Sequence, residues 1–232
     1  DLTQLGKQPV LRAPRRTGAD AALVIDAASR SSLELVRSTS GEKHGSLLAA
    51  IDRTVTGPGA RELPARLSAP LRDSAQIHAR LDAVGYLIEA PTLREDLRSA
   101  LKGAPDIARA VSRLAFGRGG PRDLGAIRDA LAAAERSATL LIARAGPIGL
   151  PAELAEIAAR LGHAAGPLSS SLADALIDDL PHLKRDGGFV RPGYSKELDE
   201  AIALRDQSRQ VMAALEARYC EESGVRTLKV RH

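Results

Sequence analysis

From Ala27 onward, apolar residues recur every three or four positions along most of the chain, the spacing that lays one apolar stripe along a helix. Ile77, Leu81, Val84 and Ile88 follow the cap signal Asp73-Ser74-Ala75-Gln76 and predict a helix of about four turns. Ser31-Ser32-Leu33-Glu34 and Thr92-Leu93-Arg94-Glu95 each set a hydroxyl three residues before a Glu, the arrangement that satisfies two otherwise free amide donors at a helix start. Pro91 should stop the helix before it. Pro105 and Pro121 fit first-turn positions, where the missing N–H costs nothing. Leu124, Ile127, Leu131, Leu140 and Leu141, among many alanines, predict a helix of about six turns from Pro121 to Arg144. Two shorter helices follow, near 151–162 and 168–180.

The pattern then breaks. Lys184-Arg185-Asp186-Gly187-Gly188-Phe189-Val190-Arg191-Pro192-Gly193 holds three glycines and a proline, which no continuous helix accommodates. Ser195 offers the next N-cap, and Glu197, Asp199 and Glu200 put negative charge where the helix dipole favours it. Leu198, Ile202, Val211, Met212, Leu215 and Tyr219 then make a sparse stripe with Arg205, Asp206, Arg209, Glu216 and Arg218 on the other faces. So narrow a seam over so long a helix touches few neighbours, as in a coiled-coil arm. Gly224 is a left-handed stop, and Val225-Arg226-Thr227-Leu228-Lys229-Val230 reads as the first strand of a small sheet. Residues 1–25, with Pro9, Pro14 and Gly18, read as an extended connection. The expected fold is all-α: a multi-helix core, a long projecting helix, and one strand at its far end.

Composition narrows the function classes. Hydrophobic residues make up 44% of the 232, enough to bury a core, yet aromatic residues are only 2%, so Leu, Ala, Ile and Val must build it. Few aromatic faces also argue against a stacking platform for single-stranded nucleic acid. One cysteine, Cys220, excludes an internal disulfide framework and a multi-cysteine zinc site. A net charge of +4 is mild for a dedicated nucleic-acid binder, and the one basic cluster, Arg12, Arg15 and Arg16, reads as a linker on a solvated surface. No signal peptide is visible, and no run approaches the length of a membrane span. The chain begins at Asp1 and its sole methionine is Met212, so it is expected to be a piece of something longer.

No active site emerges. Gly117-Arg118-Gly119-Gly120 before a helix resembles a phosphate loop but lacks the Lys-Ser/Thr ending, so a tight helix–helix turn is the simpler reading. His44, His78, His163, His182 and His232 show no metal-ligand spacing and read as solvated surface. Glu221 and Glu222 beside Cys220 argue against a reactive thiolate. Asp178-Asp179 and Asp199-Glu200 read as solvated helix surface, each pair facing two directions. No catalytic, cofactor-binding or metal residue is therefore nominated, and the chain is not expected to be an enzyme by itself.

Asp186-Gly187-Gly188-Phe189-Val190-Arg191-Pro192-Gly193-Tyr194-Ser195-Lys196-Glu197-Leu198-Asp199 is similar to the D-G-G-x-[IV]-x-x-G-Y-x-x-E-L-D segment of the MutS mismatch-repair family, and several other stretches resemble that family in its own order along the chain. Leu67-Ser68-Ala69-Pro70-Leu71-Arg72-Asp73 with Arg80-Leu81-Asp82-Ala83-Val84 is similar to L-x-x-P-L-x-D followed by R-[LQ]-D-A-V. Arg113-Leu114-Ala115 with Pro121-Arg122-Asp123-Leu124 fits a third pattern, Ile25 to Leu35 resembles the entry to the family's core domain, and Thr227-Leu228-Lys229-Val230 the first strand of its clamp.

The resemblance implies a domain map: 1–25 the end of the connector domain, 26–194 the first half of the helical core, 195–222 a lever helix, and 223–232 the start of the clamp. It implies a parent protein that is a homodimer, encircles mismatched duplex DNA, uses ATP and Mg to become a sliding clamp, and hands on to a MutL-type partner in the bacterial cytoplasm at the nucleoid. The family's mismatch-probing residues and its P-loop fall outside the matched stretches, so no base-reading or catalytic residue carries over, and no cofactor is expected in this chain itself. Pro64 should bend or shorten the helix between Gly59 and Leu67. Core helices that return after the clamp would leave an apolar face open on this piece. The alternative is a free-standing helical scaffold or adaptor that never meets DNA.

Overall fold

The computed structural model describes residues 22–164 and 166–225. Over these residues the chain is all-α, with β structure confined to two isolated bridges, Ala22 with Leu71 and Leu176 with Val190. In chain order the helices are α1 (Ala27–Ser32), α2 (Leu47–Ile51), α3 (Gly57–Ser68), α4 (Ser74–Glu89), α5 (Pro91–Leu101), α6 (Ile107–Ala115), α7 (Pro121–Ala143), α8 (Ala152–Ala164), α9 (Pro167–Ala175) and α10 (Lys196–Ser223), with a 3-10 turn at Lys184–Asp186. They form two compact units. The first takes residues up to 106 and 130–165, the second residues 107–129 and those from 166 on, so α7 contributes to both. The basic cluster of Arg12, Arg15 and Arg16, His232, and all but Val225 of the strand expected over 225–230 lie outside the described residues.

In the first unit, side-chain caps start α1 to α4. Asp26 accepts the Ser29 amide at 2.8 Å, Ser46 that of Ala49 at 3.2 Å, Thr56 that of Gly59 at 3.0 Å, and Asp73 that of Gln76 at 2.8 Å. The Ser31–Glu34 box does not start a helix. α1 ends at Ser32, and Glu34 turns left-handed at φ 47°, where its carboxylate accepts the Thr39 amide at 2.7 Å. Nor does Thr92 cap α5: Ala90 closes α4 and precedes α5 at once, so Pro91 is already the first helical residue and no side chain caps it. α3 runs through Pro64 to Ser68 without being shortened.

The core of this unit is Ala83, Leu93, Leu141, Leu154 and Ala158, flanked by Tyr86, Leu87, Ala90, Leu97, Leu140 and Leu150. α4 therefore turns inward a different face from its apolar stripe. Ala83 is buried, whereas Leu81 (59% exposed), Val84 (51%) and Ile88 (64%) face outward. The physical reason is alanine: Ala83 on α4 and Ala158 on α8 let the helices that pack together come close, and α4 rests on both α8 and α5. Polar ties finish the packing. Arg80 pairs with Glu153 at 3.2 Å, and the Tyr86 hydroxyl donates to the Arg144 carbonyl and accepts the Gly146 amide, each at 3.2 Å.

In the second unit, α6 and α7 are joined by the glycine turn read from the sequence. A Cβ on Gly119 would stand 2.4 Å from Leu114 Cδ2 and 2.9 Å from Leu114 Cα, so only glycine fits. Pro105 stands ahead of α6 rather than in its first turn, whereas Pro121 does open α7. α9 stops at Ala175, short of the expected 180, because Leu176 leaves the helix to bridge Val190. α10 begins at its Ser195 cap, runs 28 residues without burying one, and ends at Gly224 with φ 70°. No helix among the described residues is long and apolar enough to cross a membrane.

Candidate functional site at the root of the long helix

The sequence nominated no catalytic residue. Among the described residues no three His, Cys, Asp or Glu gather where a metal could be held. His44, His78, His163 and His182 are exposed, with His78 Nδ1 2.6 Å from the Ser74 carbonyl, and Cys220 is half-buried on α10. A cleft of about 450 Å³ lies among α3, α4 and α8, but its cations are answered by carboxylates: Arg66 by Glu62, Arg80 by Glu153, Arg160 by Glu156. It offers no unbalanced charge to a ligand. The second unit holds the more distinctive arrangement, a built foundation for α10.

Residues 176–180 form a strap whose carbonyls accept no helical hydrogen bond, so they need other donors. Arginine supplies them. Arg122 Nε donates to the Leu180 carbonyl at 3.1 Å, Arg128 Nη1 to that of Ile177 at 3.1 Å, and Arg191 Nε to that of Leu176 at 2.7 Å. Arg122, Gly125 and Arg128 are spaced by three and share one stripe of α7. Between the two arginines, Gly125 makes a notch: a Cβ there would fall 2.2 Å from Leu180 Cδ1, and Leu180 is buried in it.

The glycine-rich segment returns along the strap. The Ile177 amide donates to the Phe189 carbonyl at 3.1 Å and the Arg191 amide to that of Ala175 at 2.7 Å. Asp178 is not on a helix, contrary to the sequence reading. It lies in the strap, where Arg191 reaches it at 3.0 Å and Arg128 at 3.7 Å. Asp199, one turn into α10, accepts the Gly193 amide at 2.8 Å, and the Ser195 hydroxyl accepts the Leu198 amide at 3.3 Å while donating to Glu197 at 2.9 Å. Its own amide and that hydroxyl hold the Glu197 carboxyl below its ordinary value. The Ser171 and Tyr194 hydroxyls share a further bond of 3.1 Å.

Asp123 secures the other side of this unit. Its carboxylate takes Arg113 Nε at 2.7 Å and the Gly120 amide at 3.0 Å, which ties together the two halves of the third motif. The Arg113 guanidinium, then the Gly120 amide, hold the Asp123 carboxyl below its usual range despite burial. Sequence reasoning missed the strap altogether. Its readable signal was the three-residue spacing of Arg122, Gly125 and Arg128 on a helix already foreseen.

Comparison with known proteins bears out the family resemblance. The family described as MutS domain III matches residues 28–225. The DNA mismatch repair protein MutS of Rhodopseudomonas palustris strain BisB5 is 53% identical over 232 residues, all of this chain and 25% of that protein. Its counterpart in strain HaA2 is 52% identical with the same coverage. That of Azorhizobium caulinodans is 52% identical, and this chain covers 24% of it. The chain thus spans about a quarter of the length of the curated relatives it matches. With the match running along most of its length, the chain belongs to the MutS domain III family.

Proposed function

We propose that this chain is the core and lever portion of a DNA mismatch-repair protein. In that reading residues 1–25 end a connector, 26–194 are the first half of the core, 195–222 are the lever, and 223–232 open a clamp. The lever transmits the ATP state of a distant site to the grip on mismatched duplex DNA. ATP with Mg, the second subunit and a MutL-type partner are engaged by the parent protein in the bacterial cytoplasm, at the nucleoid.

One observation carries the proposal: α10 is 28 residues long, buries none of them, and is fixed at its root by a dense set of hydrogen bonds. At 1.5 Å per residue such a helix spans about 40 Å. Its hydrogen-bonded backbone makes it move as one body, so a small rotation at the root becomes a larger displacement at the tip.

A break in the middle of α10 tests this in the full-length parent. Gln207→Pro should leave ATP hydrolysis and nucleotide-free binding of a mismatched duplex within about twofold of wild type, while ATP-triggered departure from the mismatch slows about tenfold or more. Unchanged ATP-triggered departure would overturn the proposal.

A further inference from the structure

Resting on that reading, we infer that Arg191 is the positioning residue of the lever. It ties the last residues before α10 to the strap, and the strap is itself seated on α7. Arg191 grips the strap from the segment that leads into α10. Its Nε takes the Leu176 carbonyl at 2.7 Å, its Nη2 takes Asp178 at 3.0 Å, and its amide takes Ala175 at 2.7 Å. From α7, Arg128 takes Ile177 and Arg122 takes Leu180 of the same strap, with Leu180 sunk in the Gly125 notch. Between Arg191 and the helix stand only Pro192, Gly193, Tyr194 and Ser195, and Asp199 holds Gly193. The direction in which α10 starts therefore follows from where Arg191 sits.

The two parts of the Arg191 grip differ. Asp178 is 88% exposed, so its ion pair is screened by solvent, whereas Leu176 is buried at 2% exposure and its carbonyl has little water to turn to. The carbonyl bond is the part that positions. Lysine can keep the charge opposite Asp178, but it has no planar fork to serve carbonyl and carboxylate together.

The test uses the full-length parent with Arg191→Ala, Arg191→Lys, Asp178→Asn and the reference break Gln207→Pro. Arg191→Ala is expected to keep ATP hydrolysis and nucleotide-free mismatch binding within about twofold while slowing ATP-triggered departure about five- to tenfold. Arg191→Lys should not restore the rate, and Asp178→Asn should change it less than about twofold. A purely structural role would lower the melting temperature of Arg191→Ala but leave the ratio of triggered departure to hydrolysis unchanged well below melting. Should Arg191→Ala fail to fold, Arg191→Lys reads the same ratio.

Slowing by Gln207→Pro with wild-type behaviour in both Arg191 variants would overturn this inference and leave the proposed function standing. Wild-type behaviour in Gln207→Pro as well would overturn both. Full restoration by Arg191→Lys would also overturn it, by assigning the effect to charge.

Discussion

Helices α7 and α10 are close in length, 23 and 28 residues, yet they are held in opposite ways. α7 buries Ile127, Leu131, Ala133, Ala138 and Leu141 along its course, so its position is set by side-chain packing over many turns. α10 buries no residue, and Leu204 and Val211 stand 65% and 59% exposed. In the proposed reading its direction is set at its first turn and in the loop before it. A helix fixed by packing resists displacement everywhere. A helix fixed at one end can swing as a body, and its orientation is only as firm as its root.

The same substitution placed in each helix should separate them most widely. Leu141→Ala, at 3% exposure in the core of the first unit, should cost about 3 kcal/mol in urea unfolding. A loss below about 1 kcal/mol would mean that α7 is not held by packing there. Next in size is the turn that leads into α7. Gly119→Ala would drive a methyl into the Leu114 backbone and should cost about 2 kcal/mol by the same measurement.

Asp123→Asn comes third, at about 1–2 kcal/mol, since it weakens the grip on Arg113 but leaves an amide oxygen for Gly120. This site also carries a pH signature. The folded carboxyl titrates below its unfolded value near 4, so its contribution is fully present above that value and is lost as pH falls through the lower, folded one. Acid unfolding of Asp123→Asn should accordingly lack that share of the slope below about pH 4, and identical slopes would remove Asp123 from the account. Smallest of all, Leu204→Ala on α10 should stay within about 0.5 kcal/mol of wild type. A cost comparable to Leu141→Ala would erase the contrast between the helices.

How much of this was legible in the sequence depended on the range of the cause. Asp73, Ser195 and Gly224 start or stop helices through bonds and backbone angles within a few residues, and each was readable from its own neighbours. The run of α7 from Pro121 was readable for the same reason. The inward face of α4 was not. Hydropathy favoured Ile77, Leu81, Val84 and Ile88, but the packed side is set by Ala83, whose small volume carries little hydropathic signal and matters only once α8 and α5 are present. Thr92 failed as a cap because Ala90 is the single residue between α4 and α5, which puts Thr92 already inside the helix. Asp178 looked like helix surface because nothing local announced that Leu176 would leave α9 for Val190. The foundation of α10 was hidden in the same way, since its arginines reach across the fold to carbonyls, and carbonyls are present at every residue.

The spacing of Arg122, Gly125 and Arg128 sets a further condition on α7, one of phase. Each residue of an α-helix advances the side chains by about 100° around the axis and 1.5 Å along it. Removing a single residue between Gly125 and Arg128 would leave every amino acid chemically intact yet turn Arg128 away from the Ile177 carbonyl by more than a quarter of a circle. This stretch of helix should therefore accept exchanges of side chain far more readily than any change of its length, because what it keeps in register is an angle.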